Sequence, residues 1–383
     1  MRSLPPKPKP KPKPGGGSVP EFHSEIGGSN AARVLACPAS VRLSRGVPDA
    51  GGNHAAQEGT ALHAAALTLL QGLGERAARA VLAADPSTAG TEGLYEDVLL
   101  PAVEAARAII AGREILTEDW APFPSLGGNG GTADIVVLDA EGRVAAVLDF
   151  KFGRRKVPAK GNAQLRFYAA CAGAGAGRQY THQGDIRLYI IQPRVSPMVA
   201  EDAIRPPDLF GWMNDMLRAY QAVEAAAPVP GAHCRFCRAA PNCPALAADI
   251  EVTVAAPVDT TTLGLNLAQL ARVKDWVAAV EEAARSALQA DNGAVPGWKM
   301  VRASAGARSW GDEAGAAKLL EAAGVDAYAP RKLIGIPAAE KALGKDAVAP
   351  LTRPGKPSYT IVAADDPRAP DNGSLTSGKA ILL

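Results

Sequence analysis

Apolar residues recur along the chain with two spacings, and together these predict a mixed α/β or α+β core within residues 21–250. Helical spacing predicts four helices, over 55–73, 92–111, 161–172 and 207–227. Two apolar, β-branched runs, 132–139 and 143–151, are joined by a short Gly-containing turn and predict a β-hairpin, and 185–192 predicts another strand. The expected architecture is a mixed central sheet flanked by helices.

Clusters of Gly and Pro divide the sequence into three regions. Residues 1–20 form a Lys- and Pro-rich arm that we expect to be disordered. Residues 21–250 form the core together with a cysteine-rich segment over 231–248. Residues 251–383 form a helical or irregular accessory region, which opens on a long predicted helix over 265–292.

The composition is that of a folded protein, with 47% hydrophobic and 21% charged residues among 383. No apolar run reaches the roughly 20 residues of a membrane span, and the N-terminus is a Lys-Pro tract rather than a signal peptide. We therefore expect no membrane association and a cytoplasmic location.

The net charge of +2 conceals an uneven distribution. Five of the 41 basic residues lie in the first 14 positions without an acid, so the rest carries 36 bases against 39 acids. The arm is either a disordered tail or an electrostatic tether to nucleic acid. Bases interleaved with aromatic residues over 297–356 fit either an ordinary solvated face or a nucleic-acid platform.

Residues with potential chemistry interrupt the predicted hairpin. Asp134 lies near the start of its first strand, and Asp149, Phe150 and Lys151 end its second. Side chains two positions apart share a strand face, so Asp149 and Lys151 should lie side by side. Mg²⁺ takes carboxylate and phosphate oxygens, and an adjacent lysine suits a metal-bound water. The hairpin thus fits phosphodiester cleavage, although an Asp-x-Lys alone also fits a simple ion pair.

Two predicted helices add residues that suit the same chemistry. His63 is the candidate metal ligand of the first helix, where a lone histidine otherwise belongs to the core or the surface. Glu58 lies about 140° around that helix from His63, and we place it in the first turn, where a carboxylate suits the helix N-terminus. Gln164 and Tyr168 lie one turn apart on one face, which suits hydrogen bonds to one phosphate backbone.

At these residues the sequence resembles the RecB-like branch of the PD-(D/E)XK nuclease superfamily. That pattern is a helix His, a Gly-x-x-Asp, an acid two positions before a Lys, and a Gln-x-x-x-Tyr, in that order. The resemblance covers about residues 30–250 and implies a restriction-endonuclease-like core. It implies that Mg²⁺ or Mn²⁺ is bound by His63, Asp134, Asp149 and the Phe150 carbonyl. It also implies catalytic roles for Asp134, Asp149 and Lys151, and DNA contacts for Gln164 and Tyr168.

Four of the five cysteines flank the core in a one-plus-three distribution, with Cys37 before it and Cys234, Cys237 and Cys243 after it. Cys171 fits an ordinary buried thiol. Spacing alone leaves zinc and an iron-sulfur cluster open, although structural zinc usually draws on two close pairs. The pattern resembles the iron-sulfur subset of RecB-like nucleases, which implies a 4Fe-4S cluster, with zinc as second choice. Such a cluster would staple the two ends of the core.

A second and closer resemblance is to an uncharacterised family of phage and prophage proteins. It rests on five motifs and extends to about Arg368: Cys37-Pro38-Ala39-Ser40-Val41, Glu58-Gly59-Thr60 with His63, Ile191-Gln192-Pro193-Arg194, His233-Cys234-Arg235-Phe236-Cys237 and Val295-Pro296-Gly297-Trp298-Lys299. It implies an exonuclease of phage replication or recombination in the bacterial host cytoplasm. The implied partners are DNA and phage single-strand-binding or other replication and recombination proteins.

Three classes of function stay open. The first is a metal-dependent DNA nuclease, the second a RecB-like module that grips DNA or a replication partner without cleaving, and the third a zinc-stabilised structural protein of the virion. The joint presence of His63, both aspartates, Lys151 and the Gln-Tyr pair favours the nuclease, because a binding module does not need clustered, partly buried carboxylates.

Overall fold

The structure is a computed structural model, which describes residues 24–47, 54–91, 93–255, 260–291 and 293–299, together with 318 and 346. The chain divides into two compact units, Met1–Val301 and Arg302–Leu383, and nearly all described residues belong to the first. The predicted accessory region therefore begins inside the first unit. The arm and most of the predicted basic-aromatic surface lie outside the described residues.

Five strands form one mixed sheet in the order β1-β2-β3-β4-β5. Their bounds are β1 (Ile115–Pro122), β2 (Gly130–Leu138), β3 (Val144–Phe150), β4 (Ile186–Ile191) and β5 (Val199–Ile204). All neighbouring strands are antiparallel except β3 and β4, which run parallel. A parallel pair needs a crossover, and the chain between β3 and β4 supplies one through a helix.

Nine α-helices lie in the described part of the chain, and several pack on the two faces of the sheet. Their bounds are α1 (Ala31–Ala36), α2 (Ala39–Ser44), α3 (His54–Leu70), α4 (Glu75–Ala84), α5 (Leu100–Ile110), α6 (Ala163–Ala172), α7 (Pro206–Gln221), α8 (Pro244–Ala255) and α9 (Thr260–Ala290). A π-helical turn, Leu94–Leu99, precedes α5. No described helix has the length and apolar character needed to cross a membrane.

The alternation of strand side chains separates two hydrophobic cores. On one face, Val136, Val147 and Leu188 pack with α1, α6 and α7. On the other face, Ile135 and Leu148 pack with α3, α4 and α5. All seven residues of β3 are buried, because helices cover this central strand on both sides.

The predicted helices and hairpin are confirmed, with shifts at several ends. The fourth predicted helix ends at residue 221 rather than 227, and the predicted order omitted α1, α2, α4, β1 and β5. Both missed strands are sheet edges. Their central residues are polar, and Trp120 of β1 is 55% exposed, so neither strand shows a continuous apolar run. Glu118 also interrupts β1 with a φ of 51°.

Candidate functional site

The candidate site lies where β2 and β3 meet the side of α3. Asp134 was expected near the start of its strand, but β2 begins at Gly130, so the aspartate lies within the strand. The antiparallel register pairs Ile135 with Leu148, which brings Asp134 and Asp149 to adjacent positions on neighbouring strands. Strand alternation turns both carboxylates toward the face covered by α6.

His63 of α3 contacts both strands at this point. Its Nε2 lies 2.9 Å from the Phe150 carbonyl oxygen, and its Nδ1 lies 3.5 Å from Asp134 Oδ2. The same carboxylate oxygen accepts a hydrogen bond of 2.8 Å from the Phe150 backbone nitrogen. His63 also packs edge-on against the Phe150 and Phe152 rings. Three of the residues predicted as metal ligands are therefore in mutual contact.

Asp149 and Lys151 lie side by side, as strand alternation predicted. Lys151 Nζ is 2.7 Å from Asp149 Oδ2, and Asp149 is only 2% exposed. That buried oxygen is in ion-pair contact but accepts no hydrogen bond of good geometry. A buried carboxylate oxygen with unused acceptor capacity is suited to a further cationic partner.

The two carboxylates affect each other electrostatically. Burial and, to a smaller extent, the neighbouring charge of Asp149 raise the pKa of Asp134 to about 6, while His63, the Phe150 amide and Lys151 act in the opposite direction. A like charge beside a desolvated carboxylate disfavours the ionised form of Asp134. A divalent cation between them would reverse that penalty, because it stabilises the ionised forms.

The donor set fits a divalent cation in its chemistry. Mg²⁺ and Mn²⁺ favour carboxylate and carbonyl oxygens, and imidazole is acceptable to Mn²⁺. As the side chains stand in the described part of the chain, no three His, Cys, Asp or Glu residues are placed to share one ion. His63 instead contacts the Phe150 carbonyl and Asp134 directly, so ion binding would replace contacts that these donors now make with each other.

Gln164 and Tyr168 of α6 lie beside the carboxylates but differ in exposure. Gln164 Nε2 donates a hydrogen bond of 2.9 Å to the Tyr168 hydroxyl, and Tyr168 is 9% exposed. The Tyr168 ring packs so closely on Gly28 and Gly131 that a Cβ at either glycine would clash with it. Burial also raises the pKa of the tyrosine hydroxyl. Any DNA contact of this pair therefore falls mainly to the half-buried Gln164.

A polar network that the sequence reasoning missed fixes the chain after Lys151. Arg194 donates 2.8 Å to the Phe152 carbonyl and forms a 2.5 Å ion pair with Glu58 of α3. The placement of Glu58 in the first helical turn is therefore wrong, since α3 begins at His54 and its carboxylate serves Arg194 instead. The Ile191-Gln192-Pro193-Arg194 motif was the available signal, but the partners of Arg194 lie 42 and 136 residues upstream.

The four flanking cysteines also come together. Cys37 ends α1, Cys234 lies in a 3₁₀ segment, and Cys243 immediately precedes α8. Burial raises the pKa of Cys234, and the charges of nearby Cys237, Cys243 and Cys37 raise it further. Val229 N donates 3.4 Å to Cys37 Sγ, across 192 residues of chain. All five cysteines are free thiols.

The cysteine cluster (Cys37, Cys234, Cys237 and Cys243) has an apolar surround. Leu246 and Ile250 of α8 pack with Val273, Trp276 and Ala279 of α9 against its last three members. Cys171 is separate from the cluster and buried in α6, and burial raises its pKa to about 12. Cys37, Cys237 and Cys243 thus lie near Cys234, although no three of these thiols are placed to share one ion as the described side chains stand, and Cys171 is a core residue.

Comparison with known proteins shows the family. A family model described as a protein of unknown function, DUF2800, matches residues 23–369, and the chain belongs to that family. Two crystal structures of LHK-Exo, an alkaline exonuclease from Laribacter hongkongensis, also match, each with a TM-score of 0.24. The structure with dAMP is 16% identical and the other 17%; they cover 44% and 51% of this chain, and 92% of their own. These scores are too low to carry fold or activity across.

Proposed function

We propose that this DUF2800 protein is a metal-dependent DNA exonuclease that processes DNA ends in phage replication or recombination. The observation that carries the proposal is the convergence of Asp134, Asp149, His63 and Lys151 at one partly buried place. Clustered carboxylates beside a lysine are expensive to bury. A structural role does not require that arrangement, whereas phosphodiester hydrolysis uses each of these groups.

The residues that would hold Mg²⁺ or Mn²⁺ are Asp134, Asp149, the Phe150 carbonyl and His63. When bound, such an ion supplies Lewis-acid chemistry, since it polarises a phosphoryl oxygen and lowers the pKa of water. Asp149 offers an acceptor oxygen that is without a hydrogen bond. The Phe150 amide orients Asp134 through its 2.8 Å hydrogen bond.

Lys151 has the role of positioning the nucleophile. Its ammonium is held 2.7 Å from Asp149, and its backbone nitrogen donates to the Ile191 carbonyl in β4. It can donate a hydrogen bond to water or to a non-bridging phosphate oxygen, which stabilises developing negative charge. Gln164, whose amide already lies beside the site, is the group that contacts the DNA backbone.

The cysteine cluster would hold a 4Fe-4S centre as a structural clasp. Burial and the three nearby thiols raise the pKa of Cys234 in an apolar surround, and two backbone amides donate to the sulfurs of Cys37 and Cys234. Thiolate ligation relieves the desolvation that now raises the Cys234 pKa. The centre would tie α1 to the segment after α7, at a distance from the carboxylates in sequence and with no part in hydrolysis.

The decisive experiment compares linear and covalently closed circular DNA of one sequence, in single- and double-stranded form. Protein purified without oxygen is incubated with Mg²⁺ or Mn²⁺, and products are resolved from end-labelled strands. We expect mononucleotides or short products from linear DNA and none from the circles, because an exonuclease needs an end. Cleavage of circles would indicate an endonuclease instead.

The matched variants are Asp149→Ala in the site and Asp215→Asn on the exposed surface of α7, where the carboxylate contacts Arg218. We expect Asp149→Ala to lose cleavage by about a thousandfold or more, in line with the loss of a metal-based Lewis acid. Asp215→Asn should keep the parental rate. Binding of DNA by the parent with no cleavage under any metal would instead favour the non-cleaving module.

A further inference from the structure

We infer that the segment after the catalytic strand, residues 152–161, is a preorganised phosphate-binding site that holds the DNA strand beside the scissile bond. We call it the basic loop. The inference rests on the proposed function for the identity of its ligand, and it adds a binding surface distinct from the carboxylates. The basic loop begins immediately after Lys151 and ends at Gly161, just before Asn162, the N-cap of α6.

The charge of the basic loop is concentrated and uncompensated. Its ten residues include Arg154, Arg155, Lys156 and Lys160 and no acid. All four side chains are exposed, and none forms an ion pair or hydrogen bond with another described residue. The remainder of the chain outside the N-terminal arm has more acids than bases. Such a local excess beside a nuclease site attracts a polyanion and holds it at short range.

Gln192 holds the backbone of the basic loop at three points. Its Nε2 donates to the carbonyls of Gly153 at 3.0 Å and Arg155 at 2.6 Å, and its Oε1 accepts from Val157 N at 3.0 Å. Gln192 is 3% exposed. An amide that makes three backbone hydrogen bonds in a buried place fixes the loop conformation, because each bond would leave an unpaired group if the loop moved.

The two ends of the basic loop are also anchored. Arg194 binds the Phe152 carbonyl, and Asp202 of β5 accepts a 2.8 Å hydrogen bond from Gly161 N. Ala159 is buried in the core, and Val157 packs against it. The polar and apolar anchors leave the charged side chains outside while they hold the main chain.

A surface loop that serves only solubility does not need so many internal anchors. Fixing the backbone before binding lowers the entropy lost when DNA is bound. Arg154 and Arg155 offer forked donors that match phosphate oxygens, and lysines add point charges. Such contacts position a strand without reading its bases. The basic loop therefore supplies the exposed cationic contacts that the buried Tyr168 cannot.

The test is the double variant Arg154→Ala/Lys156→Ala in the full-length protein. Affinity for a fluorescent oligothymidine is measured by anisotropy over a salt series in EDTA, where cleavage is suppressed. If both residues contact phosphates, the slope of log affinity against log salt falls by about 1.4, and affinity at 0.1 M salt falls about 25-fold. Cleavage with Mn²⁺ should slow similarly on strands of different sequence.

The matched control is Arg76→Ala/Lys274→Ala, which removes two exposed bases from α4 and α9. The control should retain the parental slope. An unchanged slope in the loop variant, or an equal loss in the control, would overturn the inference even if the parent cleaves DNA. If the loop variant shows a smaller slope of log affinity against log salt but the parent never cleaves DNA, the inference is supported and the nuclease proposal is contradicted.

Discussion

The carboxylate site and the cysteine cluster are built in opposite ways. Asp134, Asp149 and Lys151 come from 18 consecutive residues and are fixed by the register of two central strands. The cysteine cluster joins Cys37 to a segment about 200 residues later, and its members lie at helix ends and in 3₁₀ turns. Regular backbone positions the first group, while the second depends on segments with few ladder hydrogen bonds.

The two regions are expected to affect the free energy of unfolding in opposite directions. Desolvated like charges at the carboxylate site oppose folding, as the raised pKa of Asp134 indicates. The cysteine cluster, once ligated, restricts the unfolded chain across a very long loop and so favours folding. If the cysteine cluster holds its centre, the molecule combines a carboxylate site that opposes folding with a ligated cluster that favours it, and each can be altered alone.

The largest expected effect comes from opening the clasp with Cys37→Ser. Closing a loop of this length restricts the unfolded state by on the order of 5 kcal/mol in the chain-entropy account. We expect the anaerobic parent to be brown with about four irons per chain, and the variant to lose the colour and unfold at a much lower temperature. Iron analysis, visible absorbance and thermal melting measure this.

Cys171→Ser is the control for the clasp, because Cys171 lies in the core of α6 and outside the cluster. It should keep the colour and the iron, with only the small stability change of a buried thiol replaced by a hydroxyl. Zinc in place of iron in the parent after strictly anaerobic purification would contradict the assignment of the metal. Retained iron in Cys37→Ser would contradict the ligand set.

The second-largest expected effect tests the role of Lys151 in the carboxylate site. Lys151→Ala removes the ammonium beside Asp149, and we expect the cleavage rate to fall by about 10²- to 10³-fold, the range for a group that assists proton transfer or charge stabilisation. Mn²⁺ affinity, measured by calorimetry, should change little because lysine is no metal ligand. Lys151→Arg should recover part of the rate. Loss of Mn²⁺ binding in proportion to rate would assign Lys151 a different role.

A smaller effect tests the statement that the carboxylate site opposes folding. The folded-state pKa of Asp134 is about 6, above its ordinary value of 3.8. Its favourable contribution is therefore complete below about pH 4 and lost as pH rises through about 6. Asp134→Asn should abolish that dependence and stabilise the metal-free protein near neutral pH by about 1 to 3 kcal/mol.

Urea unfolding in EDTA across this pH range measures the difference, with Asp215→Asn as the exposed control. Parent and Asp134→Asn should have similar stability below about pH 4, diverge as the pH rises from about 4 to 6, and keep the full difference at higher pH. A variant that is less stable than the parent at neutral pH would show that Asp134 contributes to folding through the Phe150 hydrogen bond more than its burial opposes it.

The smallest effect separates two neighbours on α6. Gln164→Ala should weaken DNA affinity about fivefold without changing its salt dependence, because a neutral amide contributes one hydrogen bond of about 1 kcal/mol to a phosphate. Tyr168→Phe should leave affinity nearly unchanged and lower stability by about 1 kcal/mol, since it removes one partly buried hydrogen bond. Anisotropy and urea unfolding distinguish the two. If Gln164→Ala and Tyr168→Phe lose DNA affinity equally, the tyrosine hydroxyl also contacts DNA.

Sequence reasoning reached the hairpin and the main helices through local periodicity, whereas it placed His63 beside Asp134 only through the resemblance to RecB-like nucleases. It missed β1 and β5, because edge strands with polar centres lack the apolar run that marks a buried strand. It also missed the role of Gln192. That side chain forms hydrogen bonds with three backbone groups 35 to 39 residues upstream, and local sequence patterns do not predict such distant partners.

The parallel pairing of β3 with β4 affects the order in which the elements of the two sites can form during synthesis on the ribosome. Strands β1 to β3 form an antiparallel meander and are complete once residue 150 has emerged. Gln192 follows only after α6 and β4, and Cys243 only after α7. We therefore expect a nascent chain to bring its two carboxylates together early, with the basic loop still untethered, and to receive its clasp last. Protease protection of stalled chains should rise in that sequence.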